Sequence, residues 1–219
     1  MNGRSHKIVI VASTGGSVMN ALLKNSFFKS QIHSVVSDRQ CGAIDKARLH
    51  GVPNKIINEK DKKRFCDDLL KYLQNNKIDY VISFFTKLFV GELLRVYRDR
   101  IMNLHPALLP SFKGMDGFGD TMRYGVRYMG TTIHFVDEKM DEGKIILQTV
   151  CPVSEYESRK NLRHRLFCQQ CKSLLQVVKW LCEGRIGVRG DSVVIEGSSF
   201  VDYEFSPNLE FPDAINLAV

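Results

Sequence analysis

Two kinds of hydrophobic pattern alternate along the first hundred residues of this chain. Runs of consecutive apolar residues are typical of strands that are buried on both faces. They occupy residues 7–12, 32–37 and 80–85, with a shorter run at 55–57. Apolar residues at helical spacing predict helices over residues 18–28, 43–50, 61–74 and 91–97. Because this alternation favours parallel strands joined by right-handed crossovers, it predicts an α/β fold, Rossmann-like, with a mostly parallel sheet and flanking helices.

Two of these helices carry clear positional signals. In the 61–74 segment one face is apolar and is predicted to pack against the core. That face comprises Phe65, Leu69, Leu70 and Leu73. The 43–50 segment is followed by Gly51, which is predicted to be the C′ residue that ends its helix.

The pattern changes after Leu104. Alternating residues at 131–137, a turn at 141–143 and a second run at 144–152 predict a hairpin. A long helix is predicted at 158–182, with an inward face formed by Leu162, Leu166, Leu174, Val178 and Cys182. A hairpin extension is predicted near the C-terminus, with strands at 193–195 and 200–205 around a turn at 197–199.

No low-complexity linker or internal repeat divides the chain. We therefore predict a single domain over residues 1–205, or two tightly fused lobes that meet at the motif region, with an N-terminal half at 1–100 and a second half at 101–205. Residues 206–219 are predicted to form a tail that is loosely packed from Pro207 onwards.

Composition limits the classes of partner. Hydrophobic residues make up 44% and charged residues 25% of the chain, which is ordinary for a globular protein. The net charge of +7 suits anionic ligands, but the charges are dispersed without the aromatic and basic pattern of a nucleic-acid surface. No run of eighteen apolar residues occurs, so no membrane span is expected.

The cysteines and the first residues bear on the cellular compartment. Six scattered cysteines and the lack of a signal-peptide pattern before the first strand predict reduced thiols and a cytoplasmic location. Cys168 and Cys171 form a C-x-x-C pair inside a helical pattern, where packing is the expected role. No spacing among histidines, cysteines and carboxylates resembles a metal site, so no metal is expected.

The candidate chemistry is concentrated in three polar residues that follow apolar runs. Asn103 and His105 are followed by Pro106 and Pro110, which stiffen the backbone, and Asp141 comes later in the chain. An amide can stabilise a developing oxyanion, and an imidazole can donate a proton near neutral pH. A carboxylate can orient that imidazole and favour its charged form. Together these groups suit acyl transfer to an amine, although singly each is compatible with an ordinary loop or turn residue.

Three motifs that occur in order carry a family resemblance. They are Asn-x-His-Pro-x-Leu-Leu-Pro from Asn103, Gly-Thr-Thr-Ile-His-Phe-Val-Asp from Gly130 and Met-Asp-x-Gly-x-Ile-Ile-x-Gln from Met140. With them the chain resembles the folate-dependent formyltransferases, over residues 8–180. The resemblance implies an enzyme that transfers a formyl group from the cosubstrate 10-formyltetrahydrofolate to a primary amine. It also implies that Asn103, His105 and Asp141 are the catalytic residues.

The resemblance further implies a phosphate-binding turn after the first strand. The family's phosphate loop falls on Gly16, Ser17 and Val18, whose backbone amides would approach the substrate phosphate at a helix N-terminus. A typical member has Asn where this chain has Val18, so a side-chain contact would be lost. From the residues alone, an ordinary tight turn is an equally good interpretation.

The segment after the 80–85 strand is implied to line the pocket of the formyl donor. It comprises Thr86, Lys87, Leu88 and Phe89. Lys87 stands where family members more often carry Arg, which keeps the charge without the planar guanidinium. Asn103 is also implied to contact the donor, together with Lys62, for which Arg64 is an alternative. Periodicity alone favours a strand end that passes into a helix cap.

The acceptor is implied by resemblance to the enzymes of purine biosynthesis, which makes glycinamide ribonucleotide the leading candidate. Gln170 stands where those enzymes usually carry Glu, and Cys171 replaces a His. A nucleotide-linked amino sugar is therefore an alternative acceptor, and a non-catalytic folate- or phosphate-binding module is a further alternative. Hydrolysis of the donor is less favoured, because that relative carries an additional N-terminal domain. The expected partner is a small phosphorylated molecule, and the sequence does not indicate an oligomeric state.

Two other polar residues have competing interpretations. His134 lies on the alternating 131–137 strand, and a buried, hydrogen-bonded histidine is favoured over a direct chemical role. Asp116, within Gly-Met-Asp-Gly from Gly114, either shapes the substrate cleft or stabilises a turn.

Overall fold

A computed structural model describes residues 6–219 of the chain, and the chain divides into two units. The first unit comprises residues 6–103 and Val136–Lys139. The second comprises Leu104–Phe135 and Met140–Val219.

The first unit is built on a parallel sheet. Its strands are β1 (Ile8–Ala12), β2 (Ile32–Ser37), β3 (Asn54–Ile56), β4 (Tyr80–Phe84) and the start of β5 (Ile101–His105). Their order is β5-β4-β1-β2-β3, and each neighbouring pair is parallel. All five residues of the central β1 are buried, as its uninterrupted apolar run predicts. The four strands predicted in this half are confirmed to within one residue at their ends. No strand was predicted at the position of β5.

Helices connect these strands. They are α1 (Ser17–Leu22), α2 (Ser26–Gln31), α3 (Gly42–Leu49), α4 (Lys62–Asn75) and α5 (Glu92–Val96). The predicted apolar face of α4 is confirmed, since all four of its residues are buried in one cluster with side chains of β1 and β4. Gly51 has the positive φ of 66° expected at the end of α3.

The single helix predicted at 18–28 is wrong, because the chain forms α1 and α2 there instead. Asn25 lies between them in an extended conformation, and its side chain accepts a hydrogen bond of 2.9 Å from the Phe28 backbone N–H. This is an N-cap, a position that Asn favours over the helix interior. The apolar periodicity continues across the break, which is why the pattern did not reveal it.

The second unit combines antiparallel strands with a long helix. It contains α6 (Gly117–Tyr124), β6 (Tyr128–Phe135), β7 (Ile145–Pro152), α7 (Arg159–Cys182), β8 (Ile186–Arg189), β9 (Ser192–Ile195), β10 (Phe205–Ser206) and α8 (Pro212–Ile215). β7 pairs antiparallel with β6 and with β10, which confirms the first predicted hairpin. α7 packs on β6 and β7. The predicted inward face of α7 is confirmed for its four aliphatic members, whereas Cys182, in the last turn, is only half-buried.

The C-terminal hairpin is present, but its strands differ from the prediction. β9 pairs antiparallel with β8, and the turn between them is formed by Gly190 and Asp191, with Gly190 at a φ of 58°. The prediction that residues 197–199 form the hairpin turn is therefore wrong. Phe205 pairs with Thr149 of β7 instead. β8 was missed because it is only four residues long and three of them are exposed, so the alternation of Ile186 and Val188 with Gly187 and Arg189 is too short to mark a strand.

The expectation of a loose segment after Pro207 is also wrong. Gln176 of α7 accepts two hydrogen bonds of 2.7 Å, from the backbone N–H groups of Glu210 and Phe211. The Trp180 indole N–H donates to the Glu210 carboxylate at 2.6 Å, and Ala214 of α8 is fully buried. Polar side chains of α7 hold this segment, so the apolar pattern of the segment itself did not predict its packing.

Candidate active site

The end of β5 presents the first two candidate catalytic residues. Asn103 and His105 are two positions apart on this strand, so their side chains leave it on the same face. Asn103 is half-buried and is the register partner of Ser83 on β4. His105 is buried, with 3% of its surface exposed, and is the last residue of the strand. His105 therefore lies where the strand passes into a loop, and Asn103 lies two residues earlier within the strand.

His105 lies beside Asp141, as the sequence predicts. Its Nδ1 is 3.4 Å from Asp141 Oδ2, and both side chains are nearly buried, with 3% and 9% exposed. On the other side of the ring, Nε2 lies 2.7 Å from the Phe112 carbonyl oxygen. A carbonyl oxygen can only accept, so Nε2 carries the proton of this hydrogen bond. Both ring nitrogens thus face oxygen acceptors, an arrangement that a doubly protonated imidazolium satisfies.

Asp141 is held by the backbone of its surroundings. Its Oδ2 accepts a hydrogen bond of 2.8 Å from the Gly114 N–H. Its own backbone has a φ of 55°, which is uncommon for a residue other than glycine and is found disproportionately at functional sites. The carboxylate is therefore fixed both by its turn conformation and by an N–H donor.

His134 also faces Asp141, which the sequence did not indicate. Its Nε2 lies 3.6 Å from Asp141 Oδ1, and its Nδ1 donates to the Phe135 carbonyl oxygen at 2.8 Å. The side chain is buried and hydrogen-bonded, as predicted. Burial lowers the pKa of His134 below its ordinary value, against the opposing effects of the Phe135 hydrogen bond and the Asp141 charge. Asp141 thus lies between two imidazoles, one of which favours the neutral form.

A shift in strand register explains why this contact was hard to foresee. β6 and β7 pair regularly from Tyr128 to Ile133, but the register shifts between Ile133 and His134, which pairs with Ile145. Such an irregularity bends a strand and redirects its side chains. Simple alternation along the strand gives no indication of it.

Gly117 is a further residue that the sequence analysis did not single out. A Cβ atom at this position would lie 2.6 Å from His105 Nε2 and 3.2 Å from the Phe112 carbonyl oxygen. The imidazole therefore occupies space that any larger residue would need. The preceding residue, Asp116, is the N-cap of α6. Its side chain accepts a hydrogen bond from the Gly119 N–H at 3.2 Å and pairs with Arg123 at 3.0 Å. These contacts agree with the predicted role of Asp116 in stabilising a turn.

The turn after β1 is tightly packed against α3. Gly16 is the N-cap of α1 with a φ of 63°, and a Cβ there would lie 3.0 Å from the Ala43 Cβ. Ser17 is exposed, whereas the Val18 side chain is buried. Lys46 Nζ donates to the Gly15 carbonyl oxygen at 2.6 Å, which places a positive charge beside the turn. Only a residue without a side chain fits at Gly16, and what the turn presents is chiefly backbone.

The predicted donor-binding segment follows β4. Thr86 is exposed, and its N–H donates to the Ser13 hydroxyl at 3.4 Å. Lys87 pairs with Asp38 at 2.8 Å. Leu88 is half-buried, whereas Phe89 is buried and stacks on Phe85 with ring centroids 5.4 Å apart. Phe89 is therefore part of the core of the first unit.

The remaining candidate residues lie on helices. Lys62 and Arg64 are both exposed in the first turn of α4. Gln170 is half-buried on α7. Next to it, Cys171 is fully buried, and burial raises the pKa of its thiol to about 12, so it stays protonated. Cys168 and Cys171 are both free thiols.

Two absences concern only residues 6–219. No group of three or more histidine, cysteine or carboxylate side chains in this range is arranged to hold a metal ion. None of the helices formed by these residues combines the length and the apolar character required to cross a bilayer.

Comparison with known proteins places this geometry in a family. A family model described as formyl transferase matches residues 6–178. The chain is 33% identical over 204 residues to the chloroplastic phosphoribosylglycinamide formyltransferase of Vigna unguiculata, and the match covers 87% of this chain and 65% of that protein. It is 30% identical over 183 residues to the phosphoribosylglycinamide formyltransferase of Bacillus subtilis (strain 168), and here the match covers 80% of this chain and 94% of the relative.

A solved structure agrees with these matches. The crystal structure of glycinamide ribonucleotide transformylase 1 from Symbiobacterium toebii has a TM-score of 0.82 at 29% identity, covering 89% of this chain and 95% of that one. The predicted α/β fold class, the predicted resemblance and the predicted enzyme class are thus confirmed. Because the family model matches well over half of its residues, the chain belongs to the formyl transferase family.

Proposed function

We propose that this chain transfers a formyl group from 10-formyltetrahydrofolate to the primary amine of glycinamide ribonucleotide, a reaction of purine biosynthesis. Relatives named phosphoribosylglycinamide formyltransferase, which match most of the chain, support this acceptor. The single observation that carries the proposal is the buried contact between His105 and Asp141 at 3.4 Å. An imidazole that is hydrogen-bonded through Nε2 and lies beside a carboxylate is suited to stabilising negative charge on a formyl oxygen.

The amine attacks the formyl carbon in its neutral form, so a proton must leave it. The carbonyl oxygen becomes negative in the tetrahedral intermediate. In the proposal, Asn103 and protonated His105 donate hydrogen bonds to that oxygen. The intermediate then collapses as the bond between the formyl carbon and N10 of the folate breaks, N10 takes up the proton that the amine has lost, and tetrahydrofolate leaves. The His105 Nε2–H now donates to the Phe112 carbonyl oxygen, so it must exchange this acceptor for the substrate. A polar acceptor already in place keeps the N–H satisfied until the substrate arrives.

Asp141 has two roles in this scheme. Its negative charge stabilises the imidazolium form of His105, and it accepts the amine's proton directly or through a water. His134, on the other side of the carboxylate, favours the neutral form because it is buried. A neutral neighbour leaves the Asp141 charge available to His105.

Substrate binding is assigned to the two segments at the carboxyl ends of β1 and β4, the edge at which open parallel sheets bind ligands. The backbone of Gly16, Ser17 and Val18 is proposed to bind the acceptor phosphate. Buried Val18 cannot offer a side-chain contact, and the backbone amides suffice. Thr86–Phe89, Asn103 and Lys62 are proposed to bind the folate donor. Because the Phe89 side chain is in the core, its contribution would come from the backbone.

A steady-state assay of tetrahydrofolate release tests the proposal. The donor is supplied with one of three additions: glycinamide ribonucleotide, a nucleotide-linked amino sugar, or no acceptor. Turnover that depends on glycinamide ribonucleotide supports the proposal. Turnover only with the amino sugar would move the acceptor assignment to that class. Equal release with and without acceptor would mean hydrolysis, and binding without release would leave a non-catalytic module.

The proposed setting is a reaction between small molecules in the cytoplasm, without a nucleic-acid or membrane partner and without a metal. The scattered free thiols support it. The relative from Vigna unguiculata is named chloroplastic. Imaging of the fluorescently tagged full-length chain in its own cells would test the location, and an organellar signal would overturn it.

A further inference from the structure

Asp38 is a buried carboxylate that has no place in the scheme above. It directly follows β2, and only 2% of its side chain is exposed. Arg39 donates to it from Nε at 2.9 Å and from Nη2 at 2.6 Å. Lys87 Nζ lies 2.8 Å from Asp38 Oδ2. One carboxylate therefore binds two cations, one adjacent in the chain and one far away in sequence.

The two ends of the Asp38–Lys87 ion pair lie on opposite sides of β1. Asp38 follows β2 and Lys87 follows β4, and β1 runs between those strands in the sheet. The pair thus joins the segments that follow β2 and β4 across the end of β1, where the turn after β1 begins. The turn has contacts of its own, since Ala43 N–H donates to the Thr14 carbonyl oxygen at 3.0 Å. The segment after β4 is held by the Thr86 N–H bond to Ser13 and by buried Phe89, and the ion pair with Asp38 fixes Lys87 between them.

The charge at Asp38 is kept in spite of its burial. Burial raises the pKa of a carboxyl, but hydrogen bonds and charge from Arg39 and Lys87 more than offset this and hold the pKa of Asp38 below its ordinary value. A buried carboxylate that lost a cation partner would be left poorly compensated. Arg39 is half exposed and bonds its own chain neighbour, so among residues 6–219 Lys87 alone links Asp38 to a distant segment.

We propose that Asp38 is a positioning residue for the formyl donor, which fixes the segment Thr86–Phe89 through its ion pair with Lys87. The inference rests on the proposed function, in which that segment binds the donor. Lysine has a long flexible stem and a compact charge, so without an anchor its segment samples more conformations. Fixing the segment before the donor arrives lowers the entropic cost of binding it.

Steady-state kinetics of four variants test this role. Asp38→Asn and Lys87→Gln each remove the ion pair and are expected to raise the KM for the formyl donor by about tenfold, with kcat and the acceptor KM little changed. The double variant should be no worse than either single variant, because both remove the same interaction. Asp38→Glu keeps the carboxylate and should recover most of the donor affinity that Asp38→Asn loses.

Two controls separate positioning from general stability. Asp68→Asn removes the exposed Asp68–Lys71 ion pair, at 3.1 Å on α4, and should leave the donor KM unchanged. Direct binding of tetrahydrofolate, measured by calorimetry, should weaken in Asp38→Asn and not in Asp68→Asn. Lower thermal stability with an unchanged donor KM, or additive effects in the double variant, would overturn the inference. No turnover by the parent chain would instead refute the proposed function, and the binding measurement would still decide the role of Asp38.

Discussion

At the scale of single residues, Asn103, His105 and Asp141 differ in what their removal should do. In the proposed mechanism, Asn103→Ala and His105→Ala each remove a donor to the oxyanion, so kcat should fall by about 100- to 1,000-fold. Asp141→Asn keeps an oxygen acceptor for the Gly114 N–H but removes the charge beside His105. It should bind the donor normally and lose at least about tenfold in kcat. Circular dichroism would show whether each variant is folded, and near-parent kcat in all three would refute the mechanism.

Gly117 offers a test of the geometry around the imidazole. Gly117→Ala would put a methyl group 2.6 Å from His105 Nε2, so the ring must move. A displacement of about 1 Å at a catalytic group can cost about 100-fold in rate, and a fall of this order in kcat is expected. Gly187→Ala on β8 is the matched control, since its Cβ would lie 3.9 Å from the nearest atom. Equal activity of the two variants would show that His105 tolerates displacement.

The acid sensitivity of the fold is predicted to depend partly on His134. Burial lowers the pKa of His134 from the ordinary 6.5, so the folded protein resists a proton that the unfolded chain accepts. The unfolded state then binds more protons, and stability falls as the pH decreases from 6.5 to the lower folded pKa. His134→Gln removes this titration. Urea unfolding at about pH 7.5 and about pH 5.5 should show a smaller pH dependence in the variant than in the parent chain. An equal dependence in both would contradict the prediction.

At the scale of elements, the break between α1 and α2 depends on one side chain. Asn25→Ala removes the acceptor for the Phe28 N–H and should lower the free energy of unfolding by about 1 kcal/mol. Asn25→Ser should retain most of the stability, because Ser is also a good N-cap residue. Urea unfolding measures both. Equal stability of the Ala variant and the parent would mean that water replaces the cap.

Elements that the sequence predicted well share a physical property. β1, β2 and β4 are buried runs, and α4 has a full apolar face. Because buried positions are apolar, the spacing of apolar residues along the chain reveals these elements. β8 is mostly exposed and left no such pattern. The same reasoning applies to the site. Motifs indicated His105 and Asp141, but His134 contacts Asp141 next to a register shift between β6 and β7, which no local pattern records.

Long-range ion pairs are a second class that sequence patterns could not reveal. Asp38 and Lys87 are each ordinary residues after a strand, and nothing local marks them as partners. Their contact follows from the order of strands, which places the connections after β2 and β4 on either side of β1. A prediction of strand order would have been needed before a search for charge pairs at the sheet edge.

At the scale of the whole molecule, the last residues are predicted to support the second unit. A chain that ends at Ser206 would lose the bonds from Glu210 and Phe211 to Gln176 and would expose the Trp180 indole. The free energy of unfolding should fall by at least about 2 kcal/mol, since several buried contacts and hydrogen bonds are removed. Trp180 is the only tryptophan, so its fluorescence reports on this region alone, and its emission should shift to longer wavelength on truncation. Glu210→Gln in the full chain is the milder comparison, because an amide oxygen still accepts from the indole N–H. Unchanged emission and stability after truncation would show that the segment only lies on α7 without stabilising it.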